Sequence, residues 1–157
     1  MSHTLTFHAS LLVLACTAAA CGYKEDPVLP AARAPEIQHV AEPVVSGAFI
    51  VEPRTFKPFK ITLAPGMTNA RLEGTFTASG ARNDIEVTLL HEAQFVNWQG
   101  RQKFEAAYVS GRVTSGTIAV SLPAGPGTYF VVFSNRFSLI SNKAVVADVQ
   151  LRYERES

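Results

Sequence analysis

Few side chains in this chain have the chemistry of a catalyst, and they do not cluster. His91 is the one histidine placed to act as a base, because His3 and His8 lie in an apolar N-terminal stretch and His39 in a proline-rich one. A serine nucleophile would need His91 together with an orienting carboxylate. Its neighbour Glu92 would point to the opposite face of a strand, and no Gly-x-Ser-x-Gly elbow accompanies the pair. Asp84 and Glu86 would share a strand face, with Glu92 nearby. That set falls short of the oxygens a calcium site needs and of the thiolates or imidazoles of a zinc site. Gly125 and Gly127 are split by Pro126 and precede a strand, so they would not cradle a phosphate at a helix N-terminus. No enzymatic activity, metal or cofactor is expected.

The residues that could bind something lie in Gln94-Phe95-Val96-Asn97-Trp98-Gln99-Gly100, within the long excursion from His91 to Lys103. Trp98 is the sole tryptophan, and amide side chains flank it. An exposed aromatic face beside amides can stack on a sugar or anchor a protein partner. The ligand-binding candidates are therefore Phe95, Asn97, Trp98, Gln99 and Arg101. The same spacing also fits Phe95 and Trp98 folding back to plug the sandwich. Arg101 and Lys103 are the only cations nearby in sequence, which suits a neutral glycan or a protein surface better than phosphate or nucleic acid.

The N-terminus carries a different chemistry. Leu11 to Ala20 is a run of apolar and small residues, and Ala20-Cys21-Gly22 follows. This resembles a bacterial lipoprotein signal, in which a peptidase cuts before the cysteine and the thiol carries diacylglycerol. The resemblance implies a signal peptide over residues 1–20 and a lipid anchor on Cys21, with Cys16 as the rival acceptor. A run of this length is too short to cross a hydrocarbon core, which takes about 20 residues. The expected location is the cell envelope, lipid-anchored to a membrane, and the outer membrane in a cell that has two. A secreted protein cut after Ala20 is the alternative. Cleavage removes Cys16 and acylation consumes Cys21, leaving no thiol for a disulfide.

All 14 Lys and Arg and all 13 Asp and Glu lie beyond residue 20, so the mature chain is nearly neutral. No run of basic residues points to nucleic acid. Prolines at 27, 30, 35, 43 and 53, with Pro58 just beyond, mark residues 21–54 as an extended, semi-rigid tether. Within it, Val44 to Val51 is alternatively an edge strand with Phe49 and Val51 turned inward, although Ser46-Gly47 reads as a turn.

The elements that must position any site are strands. Phe59, Ile61 and Leu63 alternate with polar residues, as do Leu72, Phe76 and Ala78, then Ile85, Val87 and Leu89. Phe104–Ser110 and Val113–Leu122 follow, and Pro123 to Gly127 turns the chain into the last two strands. This period of two predicts an all-β, antiparallel β-sandwich of seven or eight strands over residues 55–157. Thr128–Ser134 is apolar on both faces, so it belongs inside a sheet. It is expected to pair antiparallel with Lys143–Arg152, with Val131, Phe133, Val145, Val149 and Leu151 buried. Asn135–Lys143 between them carries turn formers around Phe137 and reads as structural.

The stretch Gly127 to Tyr153, an aromatic strand followed by Asn-x-Phe-Ser and a Lys-led final strand, resembles the end of the GOLD (Golgi dynamics) domain. That resemblance implies a GOLD-like sandwich and a non-enzymatic binding role. The paired cysteine of the GOLD cargo receptors is missing from residues 55–157, so transport-vesicle function does not carry over. The expected function is an envelope-anchored lipoprotein presenting a binding or adaptor module for a protein or glycan. The alternative is a structural or assembly lipoprotein that touches other envelope proteins through a sheet edge or loops.

Overall fold

A computed structural model of the chain describes residues 35–157. Cys16, Cys21, the signal peptide and residues 21–34 of the tether lie outside the described residues. Eight strands form two four-stranded antiparallel sheets. In chain order they are β1 (Ile37–Val51), β2 (Phe56–Leu63), β3 (Thr68–Ser79), β4 (Ile85–His91), β5 (Tyr108–Val113), β6 (Ser115–Ser121), β7 (Gly127–Ser134) and β8 (Lys143–Glu156). Among the described residues one helix, α1 (Glu92–Gln99), and a short 3₁₀ turn at Ala81–Asn83 accompany the strands. The first sheet runs β1-β8-β3-β6 and the second β2-β7-β4-β5. The all-β sandwich expected from the alternation is what forms.

The expected pairing of the last two strands does not form. β7 lies between β2 and β4, whereas β8 lies between β1 and β3 in the other sheet. Residues 135–142 are thus an arch that carries the chain across the core. Each strand is central in its own sheet, which is why both are apolar on the inward face. Val131, Phe133, Val145 and Val149 are fully buried and Leu151 nearly so. At the centre, Phe133 meets Phe49, Phe59 and Phe76 edge-on, with ring centroids 5.1, 5.8 and 6.0 Å apart. Edge-to-face contact sets the positive rim of one ring against the negative face of the next. Gly116 on β6 gives Phe76 its space, because a Cβ there would sit 2.5 Å from the ring.

Ile37–Val51, expected to belong to the tether, is a strand of the domain. β1 pairs with β8 along its whole length, from Ile37 opposite Glu156 to Val51 opposite Lys143. A proline lacks the N–H that a ladder needs and is tolerated on edge strands. β1 is such an edge, and its register shifts between Pro43 and Val45. Gly47, read as a turn, instead takes φ +107° within the strand. Val51 and Phe49 face inward as the edge-strand alternative required.

The long excursion after β4 is a helix instead of a loop. His91 caps it, its Nδ1 accepting the Ala93 N–H at 3.4 Å, and Glu92 sits in the first turn, where a negative charge suits the helix dipole. At the other end the Gly100 N–H bonds the Val96 carbonyl at 3.0 Å. α1 lies on the outer face of the second sheet. There Phe95 and Trp98 cover Leu90 and Val132, with Phe56, Phe130 and Ala106 around them. This second, smaller core explains why β7 is apolar on both faces.

Candidate functional site

Trp98 and Phe95 fold back as the second reading required, but onto the outer face of the second sheet instead of into the sandwich. Only 7% of Trp98 is exposed. Its ring meets Phe56 edge-on at 4.9 Å, and Phe95 stacks on Phe130 at 4.3 Å. Neither presents the free aromatic face that a sugar would need. Of the other candidates, Asn97 is half-buried, while Gln99 and Arg101 are exposed. Of these five, Trp98 and Arg101 line an open concavity, and Arg101, just past the end of α1, is the exposed one of the two.

That concavity is a groove of about 420 Å³ between the C-terminal end of α1 and the arch. Its floor is the outer face of the second sheet, where Glu86, Arg112 and Ser134 stand on adjacent strands. Arg101, Gln102 and Phe104 form one wall, and Arg136 and Phe137 the other. Arg136 is fixed on several sides. It donates from Nη1 to the Trp98 carbonyl at 3.1 Å and from Nη2 to the Gln99 carbonyl at 3.3 Å. Those carbonyls end a helix, where a cation is favoured. The guanidinium also lies 4.1 Å from the Trp98 ring and 4.6 Å from that of Phe56. Burial, then the charge of Arg101, lowers its pKa from the ordinary arginine value. Three of its five N–H donors remain for another group.

Arg112 is directly opposite Glu86 in the β4–β5 ladder, yet its guanidinium lies 4.2 Å over the Phe137 ring. Among the described residues, none of Arg101, Arg112 and Arg136 forms a salt bridge. The groove thus holds three guanidiniums against one carboxylate. Sequence reading found Arg101 and missed the other two. They arrive from β5 and from the arch, brought together only by the sheet register. Asn-Arg-Phe-Ser read as turn chemistry, and nothing local marked Arg136 as a partner of α1.

The arch beside the groove is held by its own polar groups. Buried Asn135 donates from Nδ2 to the carbonyls of Val51, Glu52 and Ser141 at 3.1, 3.2 and 2.8 Å. Lys143 is buried as well, paired with Asp84 at 2.5 Å and with the Ala81 carbonyl, and it faces the Phe137 ring. Asp84 is therefore committed to a structural ion pair, and Glu86 lines the groove instead of joining it at a metal. Among the described residues no group of three or more histidines, cysteines or carboxylates converges. The tip of the arch is apolar and open, with Leu139 66% and Ile140 90% exposed. No family model matches this chain, and no curated protein is significantly similar to it.

Proposed function

We propose that this chain is an envelope lipoprotein, anchored through Cys21, whose sandwich is a non-enzymatic binding module for a protein partner. The reading joins the Ala20-Cys21-Gly22 motif to the placement of the open surface. The chain enters the domain at Ile37, and β1 then runs 15 residues to Val51, beside the arch. At about 3.3 Å per residue that is about 50 Å. The groove and the exposed Leu139 and Ile140 thus sit at the end of the sandwich opposite Ile37, where β1 begins, and that observation carries the proposal. A proline-rich tether would lift this end clear of the bilayer.

Loops on a rigid scaffold are favoured over sheet edges as the contact. Of the four edge strands, β1 is interrupted by the shift at Pro43 and by Gly47, β2 carries Pro58 and two lysines, and β5 and β6 are six and seven residues long. Short or kinked edges pair poorly with foreign strands. The test uses a photo-crosslinking residue at position 140 or at the exposed position 65 in the lipidated protein in intact cells. Capture of a defined envelope protein from 140 and not from 65 supports the reading. Capture from 65 alone, equally from both, or from neither overturns it, and Cys21→Ser should release the protein from the membrane fraction.

A further inference from the structure

We propose that the groove between α1 and the arch binds the carboxylates of an acidic peptide segment in a partner protein, with Leu139 and Ile140 receiving an apolar residue beside them. The inference rests on the reading above that this end of the domain is the binding end. Its first support is charge that lacks a partner. At the opposite end, Arg71 and Arg152 line a concavity and both are paired with Glu73 at 3.1 Å, while Arg155 stands apart in a second hollow and donates to the Gln38 side-chain oxygen at 3.3 Å. At the arch end Arg101, Arg112 and Arg136 have no such pairing, and Arg82 lines an adjoining hollow that shares Arg112 and Phe137. Asp84 offsets only Lys143 there.

The second support is backbone conformation. Arg101 adopts φ +58° and Arg82 φ +67°, the left-handed region that disfavours a residue with a Cβ. Glycine would fit either position with less strain. The chain instead places a guanidinium at each, one on the groove wall and one on the adjoining hollow. Strain held at particular residues is a feature of binding sites.

The geometry also favours a peptide over the other anions. Arginine presents a planar fork that matches a carboxylate in a bidentate pair. Glycan stacking needs a bare aromatic face, and here guanidiniums lie over Phe137, Trp98 and Phe56. A lipid surface would be met by protruding cations, whereas Arg136 is recessed between α1 and the arch. The two exposed aliphatics next to the groove suit a chain that alternates acidic and apolar side chains.

The test titrates the full lipidated protein in nonionic micelles with a fluorescent peptide of alternating Glu and Leu, and with its Gln counterpart. The expected result is saturable binding of the Glu peptide that weakens with salt, as screening requires, and at least tenfold weaker binding of the Gln peptide. Arg112→Gln and Arg101→Gly should each weaken binding at least fivefold with unchanged melting temperature, and Arg71→Gln should not. Arg101→Gly relieves a positive φ, so loss of fold does not confound it. Equal binding of the Gln peptide, or no effect of both groove variants, overturns the proposal. So does tighter binding of heparin or of anionic phospholipid vesicles that depends on the same arginines. If position 140 still captures a partner while the Glu peptide fails to bind, the distal binding end stands and only the acidic ligand falls.

Discussion

Trp98 shows how one buried ring decides between two readings of the stretch Gln94–Gly100. Its indole closes the small core over Leu90 and Val132, and its backbone carbonyl accepts from Arg136. Removing an aromatic of this size from a core costs about 3–5 kcal/mol. Trp98→Ala should therefore lower the urea midpoint sharply, whereas a variant that kept its stability would show that the helix packs loosely. Tyr153 makes a prediction of the opposite kind. Its hydroxyl donates to Glu42 Oε1 at 2.6 Å, and its pKa is raised above 10.0 by that bond first, then by burial and by the charge of Glu42. A group with a raised folded-state pKa contributes stability that is fully present below the unfolded value and lost as pH rises through the folded one. Burial raises Tyr108 in the same direction. Stability should fall above about pH 10, and less steeply in Tyr153→Phe. An identical alkaline fall in that variant would show that the bond to Glu42 contributes nothing.

At the scale of elements, the arch ties the two sheets together. Asn135 satisfies three backbone carbonyls from β1, the turn after it and the arch itself. Leaving such a group unpaired costs about 1–3 kcal/mol, so Asn135→Ala should destabilise the domain by at least that much and loosen residues 136–142. A loss under about 0.5 kcal/mol by urea denaturation would mean that water replaces the amide without penalty. The alternation of β2, β3, β4, β7 and β8 was legible in the sequence because each strand has one inward face against the main core. The partners of β7 and β8 were not, because period two tells which face is buried and says nothing of which strand lies alongside. α1 was missed for a related reason. It is only two turns long, and its two buried residues, Phe95 and Trp98, are too few to show a helical period. The i, i+3 spacing of that pair, with Glu92 before it and Gly100 after, was the available signal.

For the whole molecule, the groove was hidden because it is a product of topology. Arg101 follows α1, Arg112 sits on β5 and Arg136 begins the arch, so their meeting depends on β4 pairing with both β5 and β7. Composition gave no hint either, since the chain's net charge is +1 and the asymmetry appears only when the ends of the sandwich are compared. Of the described arginines toward the end where the chain enters, Arg71 and Arg152 are ion-paired and Arg155 is bonded to Gln38, whereas Arg101, Arg112 and Arg136 lie together without an ion pair beside the arch. Hydrogen–deuterium exchange of the full lipidated protein, with and without the acidic peptide, tests that asymmetry most directly. The account expects slowed exchange confined to residues 98–104 and 134–141 and to the backbone around Glu86 and Arg112, with residues 64–68 unchanged. Slowing at 64–68 and 153–156 instead, or no slowing anywhere at saturating peptide, would contradict it.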